Sequence, residues 1–142
     1  MRLKKLYLIG ALSLFCIFSC TKDKITTYPV PGLYLGTYTV DNLPAQGALS
    51  YSIVVNPDGS LITKVKGGDG NNYYSDGTWT MTGTEFKGTI STFVKYNGDP
   101  VTQSITATFS NDGKLTNGVW KDLTNPTGVK NAGKLSPMQR VN

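Results

Sequence analysis

The feature that most constrains this chain is a regular alternation of apolar and polar residues from Gly32 onward. The segment "GALSYSIVV" alternates around Tyr51 and Ile53, and "VTQSITATFS" alternates around Ile105 and Phe109. Successive side chains of a β-strand point to opposite faces, so this alternation indicates strands with one buried and one solvated face. Beyond the first twenty residues, no stretch has the apolar period of a helix. We therefore predict an all-β domain.

Segments rich in glycine, asparagine and aspartate separate the alternating runs. "NPDGS", "GGDGNN", "NGDP" and "NDGK" each contain a glycine that can adopt positive φ, next to Asn or Asp side chains that can hydrogen-bond the local backbone. These segments are therefore predicted to be turns. The runs between them predict eight strands, near residues 33–40, 48–56, 60–66, 73–82, 85–96, 101–110, 114–121 and 128–136.

Short turns make consecutive strands neighbours in the sheet, which gives an antiparallel meander. Eight such strands can close into an up-and-down barrel and leave no exposed sheet edge. We predict one barrel domain over residues 32–142 with its apolar side chains inside. The residues predicted to point inward are Tyr38, Val40, Leu49, Tyr51, Ile53, Val55, Leu61, Val65, Trp79, Met81, Phe86, Ile90, Val94, Val101, Ile105, Phe109, Leu115 and Leu135.

The first twenty residues have the organisation of a secretory signal peptide. A basic "RLKK" precedes the apolar run 6–18, and the small residue Ser19 precedes Cys20. The apolar run is shorter than the roughly 20 residues that a membrane-spanning helix needs. Cys16 and Cys20 are the only cysteines and the chain has no histidine, so these two thiols lack the further ligands of a metal site.

The motif "IFSC" resembles the lipobox of bacterial lipoproteins, although Phe18 stands where that family has a small residue. The resemblance implies that residues 1–19 are removed and that Cys20 carries the lipid. Secretion without lipid and an uncleaved anchor remain open. Under the family's sorting rule, Thr21 instead of Asp implies the outer membrane, on either its periplasmic or its surface face.

Residues 20–31 are predicted to be an extended tether that holds the barrel at the membrane. Pro29 and Pro31 lie in its polar sequence, and its reach is at most about 35 Å. Loss of residues 1–19 removes three basic side chains and lowers the formal net charge from +5 to +2. Because the remaining lysines are scattered, we expect no nucleic-acid partner.

A Gly-x-aromatic triplet occurs three times, at 36–38, 77–79 and 118–120, with the glycines 41 residues apart. Whether this spacing reflects an internal duplication is left open by the sequence. The segment "YLGTYTV", which contains the first triplet, resembles the opening strand of the lipocalin and calycin group. The resemblance implies that an arginine near the chain end, here Arg140, packs on the aromatic ring, here Tyr38, as a structural latch.

The sequence lacks the usual catalytic groups, and we expect no enzyme activity and no cofactor. It has no histidine and no nucleophile elbow, phosphate loop or dinucleotide motif. Glu85 is the only glutamate and is predicted to form a solvated pair with Lys87. The "GGDGNN" turn offers oxygens at Asp69 but lacks the later bidentate carboxylate of a calcium loop, so no metal is expected.

Aromatic residues are the best candidates for a binding site. Tyr73 and Trp79 share one face of a predicted strand, and antiparallel pairing would bring Tyr96 near Tyr73, beside Asn71 and Asn72. Aromatic rings with amide neighbours suit a sugar or a small amphipathic molecule. Core packing is the alternative role for these rings.

Together these features predict a non-catalytic outer-membrane lipoprotein with a lipocalin-like barrel that binds a small amphipathic or glycan ligand. The alternative is a structural or assembly accessory, or an inhibitor, that docks on another envelope protein. The binding role and the docking role predict different barrel interiors. A continuous internal cavity favours the binding role. A filled core with an exposed apolar patch favours docking.

Overall fold

The structure is a computed structural model that describes residues 29–96, 99–125 and 127–141. The predicted signal peptide, the predicted lipidation residue Cys20 and most of the predicted tether lie outside this range. One 3-10 turn spans Pro44–Gln46. The strands are β1 (Gly32–Tyr38), β2 (Leu49–Val55), β3 (Ser60–Lys66), β4 (Asn72–Thr82), β5 (Glu85–Tyr96), β6 (Asp99–Phe109), β7 (Leu115–Thr124), β8 (Ala132–Leu135) and β9 (Gln139–Val141).

The strands form a closed antiparallel barrel in which each strand from β1 to β7 pairs with the next one along the chain. Strand β1 closes it by pairing with β2 over its whole length on one side, and with β8 and β9 on the other. Since β8 and β9 together occupy one position, the barrel is eight-stranded and up-and-down. The predicted fold class is confirmed, and the architecture is consistent with a lipocalin-like fold.

The last barrel strand differs from the prediction of one strand at 128–136. The observed strand lies further along the chain, at residues 132–141, and is divided at Pro137 into β8 and β9. Proline has no backbone N–H to donate to the sheet, so the ladder is interrupted there. Two contacts bridge the break: the Thr37 N–H donates to Ser136 Oγ at 2.9 Å, and Met138 exchanges backbone hydrogen bonds with Leu115.

The barrel has two distinct ends. At the tether end the chain enters through residues 29–31, beside the turns 56–59, 83–84 and 110–114. At the far end lie the β1–β2 loop, the β3–β4 turn and the connections that follow β5 and β7. A tether from Cys20 would therefore reach the barrel at one end only.

Side chains from all around the barrel pack in its interior. Tyr34, Leu61 and Phe86 have no exposed surface. Glycine is required where two strands approach closely: a Cβ on Gly77 would lie 1.8 Å from the Thr89 carbonyl oxygen. The buried core residues are Tyr34, Tyr51, Ile53, Val55, Leu61, Phe86, Ile90, Ile105, Ala107, Phe109, Leu115, Trp120, Leu135 and Met138.

A bulge in β7 changes which residues point inward. Asn117 has a φ of 51°, and the β6–β7 register shifts at this position. A bulge adds one residue to one strand, so the inward side of β7 changes from odd to even numbers. Leu115 is therefore inside before the bulge, while Trp120 and Asp122 are inside after it.

Candidate functional site

The aromatic residues of the three Gly-x-aromatic triplets close the two ends of the barrel. Successive triplets lie on β1, β4 and β7, with two strands between each pair, so in this antiparallel barrel β4 runs opposite to β1 and β7. Trp79 consequently lies at the tether end, where its Nε1–H donates to the Asn56 carbonyl at 2.8 Å. Its ring stacks on Phe86 with a centroid distance of 5.9 Å.

At the far end, Tyr38 and Trp120 close the barrel together. The Tyr38 ring meets Trp120 and Tyr51 edge-on, with centroid distances of 6.0 and 5.9 Å. The Tyr38 hydroxyl donates to the Lys66 carbonyl at 3.0 Å, and Trp120 Nε1–H donates to the Thr39 carbonyl at 3.0 Å. Burial raises the pKa of the Tyr38 and Tyr51 phenols above the ordinary value of 10.0.

The predicted site residues Tyr73 and Asn71 belong to a hydrogen-bond network inside the β3–β4 turn. The Tyr73 hydroxyl donates to Asp69 Oδ2 at 2.7 Å, and the Asn71 backbone and side-chain N–H groups donate to the same carboxylate. These bonds stabilise the charged form, with the Tyr73 contribution largest, and lower the pKa of Asp69. The Asp69 oxygens considered for calcium are thus engaged within the turn.

The structure does not bring all five predicted binding residues together. Trp79 and Tyr73 share a face of β4 but lie at opposite ends of the barrel. Pairing between β4 and β5 ends at Ser75 and Thr92, so the backbone of Tyr96 lies beyond the paired region, in the β5–β6 hairpin. Tyr73 and Trp79 therefore do not contribute to one site, while the predicted grouping of Tyr73 and Tyr96 beside Asn71 and Asn72 stays a prediction.

The predicted latch between Tyr38 and Arg140 requires a correction. Arg140 is the cross-strand partner of Tyr34, four residues before Tyr38 on β1. Its guanidinium donates to the Pro31 carbonyl at 3.0 Å, and a Cβ on Gly32 would lie 2.5 Å from Arg140 Nε. The arginine thus packs at the tether end, whereas Tyr38 packs at the far end. The reason is that Leu135 is the cross-strand partner of Tyr38, and Arg140 lies five residues further along the last strand.

A groove of about 380 Å³ on the outer side of β1–β4 is the best candidate binding site. The cross-strand register places Leu35, Ser52, Lys64 and Tyr74 side by side on four adjacent strands. Tyr74 is 44% exposed, and Lys64 Nζ lies 5.8 Å from its ring centroid. The groove is lined by Leu35, Gly36, Ser50, Tyr51, Ser52, Lys64, Lys66 and Asn72.

This groove combines two kinds of surface. Two ammonium groups, two hydroxyls and an amide can bind an anionic or hydroxylated group. Leu35, which is 47% exposed, adds an apolar edge. Of the predicted binding residues, Asn72 is the one that lines it. The sequence analysis selected aromatic rings and their amide neighbours, whereas the groove depends on lysines that the strand register collects on one wall.

Asp122 is a buried polar residue that the sequence analysis missed. Its carboxylate accepts hydrogen bonds from Gln103 Nε2 at 2.8 Å, from Asn125 Nδ2 at 3.2 Å and from the Asn131 backbone at 2.9 Å. These bonds join the β7–β8 connection to the barrel wall. Its position depends on the Asn117 bulge, because regular alternation from Leu115 would place residue 122 outside.

The Glu85–Lys87 pair is present as predicted, with 2.9 Å between Lys87 Nζ and Glu85 Oε2 and both side chains more than half exposed. No helix in the part of the chain that the structure describes is long and apolar enough to span a membrane. Comparison of the chain with protein-family models, with curated proteins and with solved structures found no match.

Proposed function

We propose that this protein is a non-catalytic outer-membrane lipoprotein, held by lipid on Cys20, that binds a small anionic amphipathic ligand in the groove on β1–β4. The groove itself is the observation that carries the proposal. Lys64, Lys66 and the serine hydroxyls offer partners for an anionic head, and Leu35 offers a surface for an apolar tail.

Packing of the interior favours this outer site over a site in the lumen. An eight-stranded barrel is either filled by side chains or holds one small ligand. Here the Tyr38, Tyr51 and Trp120 rings meet at the far end, and Trp79 stacks on Phe86 at the tether end. A ligand in the lumen would have to displace these rings and their hydrogen bonds to loop carbonyls.

The proposal is tested by titrating the mature protein with hexyl phosphate, a soluble anionic amphiphile, and measuring the heat of binding. Lys64→Ala combined with Lys66→Ala should weaken binding about tenfold, because exposed ion pairs contribute up to roughly 1 kcal/mol each. Lys87→Ala, which removes an exposed lysine from the opposite wall, is the matched control and should leave the affinity unchanged.

Two further results would change the proposal. Equal binding of hexyl glucoside and hexyl phosphate would indicate a glycan site in which the hydroxyls and Asn72 dominate. Binding that is unaffected by the double lysine variant would place the ligand elsewhere and refute the groove. The mass of the protein purified from its own membrane tests the anchor separately, since acyl chains on Cys20 add a defined mass.

A second candidate function is docking on another envelope protein. The observation in its favour is a filled interior combined with exposed apolar residues on the outer wall, among them Leu33, Leu35 and Ile62. Under this alternative the lipidated protein would co-purify with a defined protein partner, and hexyl phosphate would not bind.

A further inference from the structure

Four apolar side chains form a continuous row across the outside of four adjacent strands. Val141 of β9 pairs with Leu33 of β1, Leu33 with Val54 of β2, and Val54 with Ile62 of β3. Leu33, Ile62 and Val141 are 36%, 43% and 44% exposed, and Val54 is half-buried. We call these four residues the apolar row. Leu35 extends it toward the groove.

The opposite wall of the barrel has a different outer surface. The outward pairs between β4 and β5 include Thr78 with Thr89 and Thr80 with Lys87. Lys87 in turn pairs with Thr106 of β6. Polar residues on an outer face are what a solvated antiparallel sheet requires. Apolar side chains are also exposed elsewhere on the barrel, among them Phe93 and Val119, but the cross-strand partners of Val119 are Thr106 and Lys134, so Val119 is not part of a row.

The apolar row lies at the tether end. Leu33 follows Gly32, the first residue of β1, and the chain before Gly32 leads back to Cys20. Since the tether reaches at most about 35 Å, a lipid on Cys20 would keep this end of the barrel near the membrane. Tethering also converts a weak contact into an intramolecular one with a high effective concentration.

Lysines flank the apolar row on the side away from the tether end. Lys64 is two residues after Ile62 on the same face of β3, and Lys66 follows at the next outward position. Tyr74 lies beside Lys64. Apolar residues followed by lysines and an aromatic ring match the order of surfaces at the edge of a bilayer, where hydrocarbon gives way to headgroups.

We infer that the β9–β1–β2–β3 wall lies on the bilayer that holds Cys20, with the apolar row inserted at the top of the hydrocarbon and Lys64 and Lys66 among anionic headgroups. This inference rests on the proposed lipid anchor. It also specifies how the groove is used, since the groove lies between the apolar row and the far end and would face the headgroup layer. An amphipathic ligand would then enter it sideways from the membrane.

The test uses the full chain, produced with its own signal sequence, purified in its lipidated form and reconstituted into vesicles of phosphatidylethanolamine and phosphatidylglycerol. Ile62→Cys carries an environment-sensitive fluorophore in one sample. In the control, Val119→Cys carries the same fluorophore on β7, where Val119 is similarly exposed at 47%. Lipids with a nitroxide near the top of the acyl chain quench a fluorophore that enters the interface.

We expect quenching to be roughly threefold stronger at position 62 than at position 119, because an inserted apolar face lies about 5–10 Å into the headgroup and acyl boundary. Val141→Cys, at the end of β9, should be quenched as strongly as Ile62→Cys. It is the control for a local effect of the label on β3. Equal quenching at positions 62, 141 and 119 would overturn the inference. Shielding of the fluorophore at position 62 from lipid by a second copy of the chain or by another protein would also overturn the inference.

The mass of each labelled protein separates failure of the wall from failure of the anchor. An acylated protein with equal quenching refutes the wall and leaves the proposed anchor intact. A protein without acyl chains that is still quenched selectively at positions 62 and 141 refutes the anchor and supports the wall. A protein that has no acyl chains and shows equal quenching at all three positions refutes both the anchor and the wall.

Discussion

Both faces of the β1–β3 wall carry apolar side chains, and these have different roles on the two faces. On the inner face, Tyr34, Ile53 and Leu61 are fully buried against the opposite side of the barrel. On the outer face, Leu33 and Ile62 remain largely exposed, although they alternate with the inner residues along the same strands. Burial provides the stability of the fold, so a row of adjacent apolar side chains that the fold leaves exposed points to a contact outside the chain.

The largest effect that we predict separates two neighbours in sequence, Leu61 and Ile62. Leu61→Ala should lower the free energy of unfolding by about 2–5 kcal/mol, since it leaves a cavity in a filled interior. Ile62→Ser should change it by less than about 1 kcal/mol, because the side chain is on the outer face. Urea denaturation of both variants measures the difference, and similar losses would show that the two faces are not distinct.

A second neighbouring pair tests the packing of the interior at β4. Gly77→Ala should destabilise the protein by about 1–3 kcal/mol, because its Cβ would contact the Thr89 carbonyl and Ile90 Cα, both of which are backbone atoms that cannot move aside. Thr78→Ala, on the outer face, should stay within about 0.5 kcal/mol of the parent protein. Thermal unfolding checks both values, and an unchanged melting temperature for Gly77→Ala would contradict the close strand approach.

Two tyrosines test the hydrogen bond that closes the far end. Tyr38→Phe removes the donor to the Lys66 carbonyl and should cost about 0.5–1.5 kcal/mol of stability. Tyr74→Phe alters an exposed ring on the outer wall and should cost less than about 0.5 kcal/mol. Equal losses in chemical denaturation would mean that the Tyr38 hydroxyl does not hold this end closed.

The smallest predicted effect concerns the pH dependence of the β3–β4 turn. Hydrogen bonds from Tyr73 and Asn71 lower the pKa of Asp69 from its ordinary value of 3.8. A carboxyl whose pKa is lower in the folded state stabilises the fold above its unfolded pKa, and this contribution is lost as the pH falls through the folded pKa.

Tyr73→Phe should therefore raise the pKa of Asp69 toward 3.8, as measured by following the carboxyl carbon in an NMR titration. Asp58 is the internal control, because hydrogen bonds from Ser60 lower its pKa independently of this turn. If the pKa of Asp69 stays equally low in Tyr73→Phe, the hydrogen bond from Tyr73 does not lower it and the shift comes from Asn71 alone.

The alternation of apolar and polar residues was sufficient to predict the barrel because it repeats in nearly every strand. The bounds predicted for the third and fifth strands, 60–66 and 85–96, are those of β3 and β5. Errors arose where the alternation is interrupted. The bulge at Asn117 moves Trp120 and Asp122 inside the barrel. An asparagine at position 117 does not by itself require a bulge, so the sequence did not predict it.

Site prediction was less successful because it depends on which strands are adjacent and in what register. Arg140 meets Tyr34 and not Tyr38 because Leu135 is the cross-strand partner of Tyr38 and Arg140 comes five residues later in the last strand. The groove collects Leu35, Ser52 and Lys64 from three strands. Each of these residues is unremarkable in its own segment, and only the β1–β2–β3 register places them side by side.

The central claim is that the ligand site is on the outer wall and that the interior is filled. The most direct test is an NMR titration of the mature chain, with Cys20→Ser to keep it in solution, using hexyl phosphate as the ligand. We predict amide shift changes centred on Ser52, Lys64 and Lys66, with the inward residues Ile90 and Ile105 unaffected. Shift changes centred on Ile90 and Ile105 would place the ligand in the lumen and contradict the account.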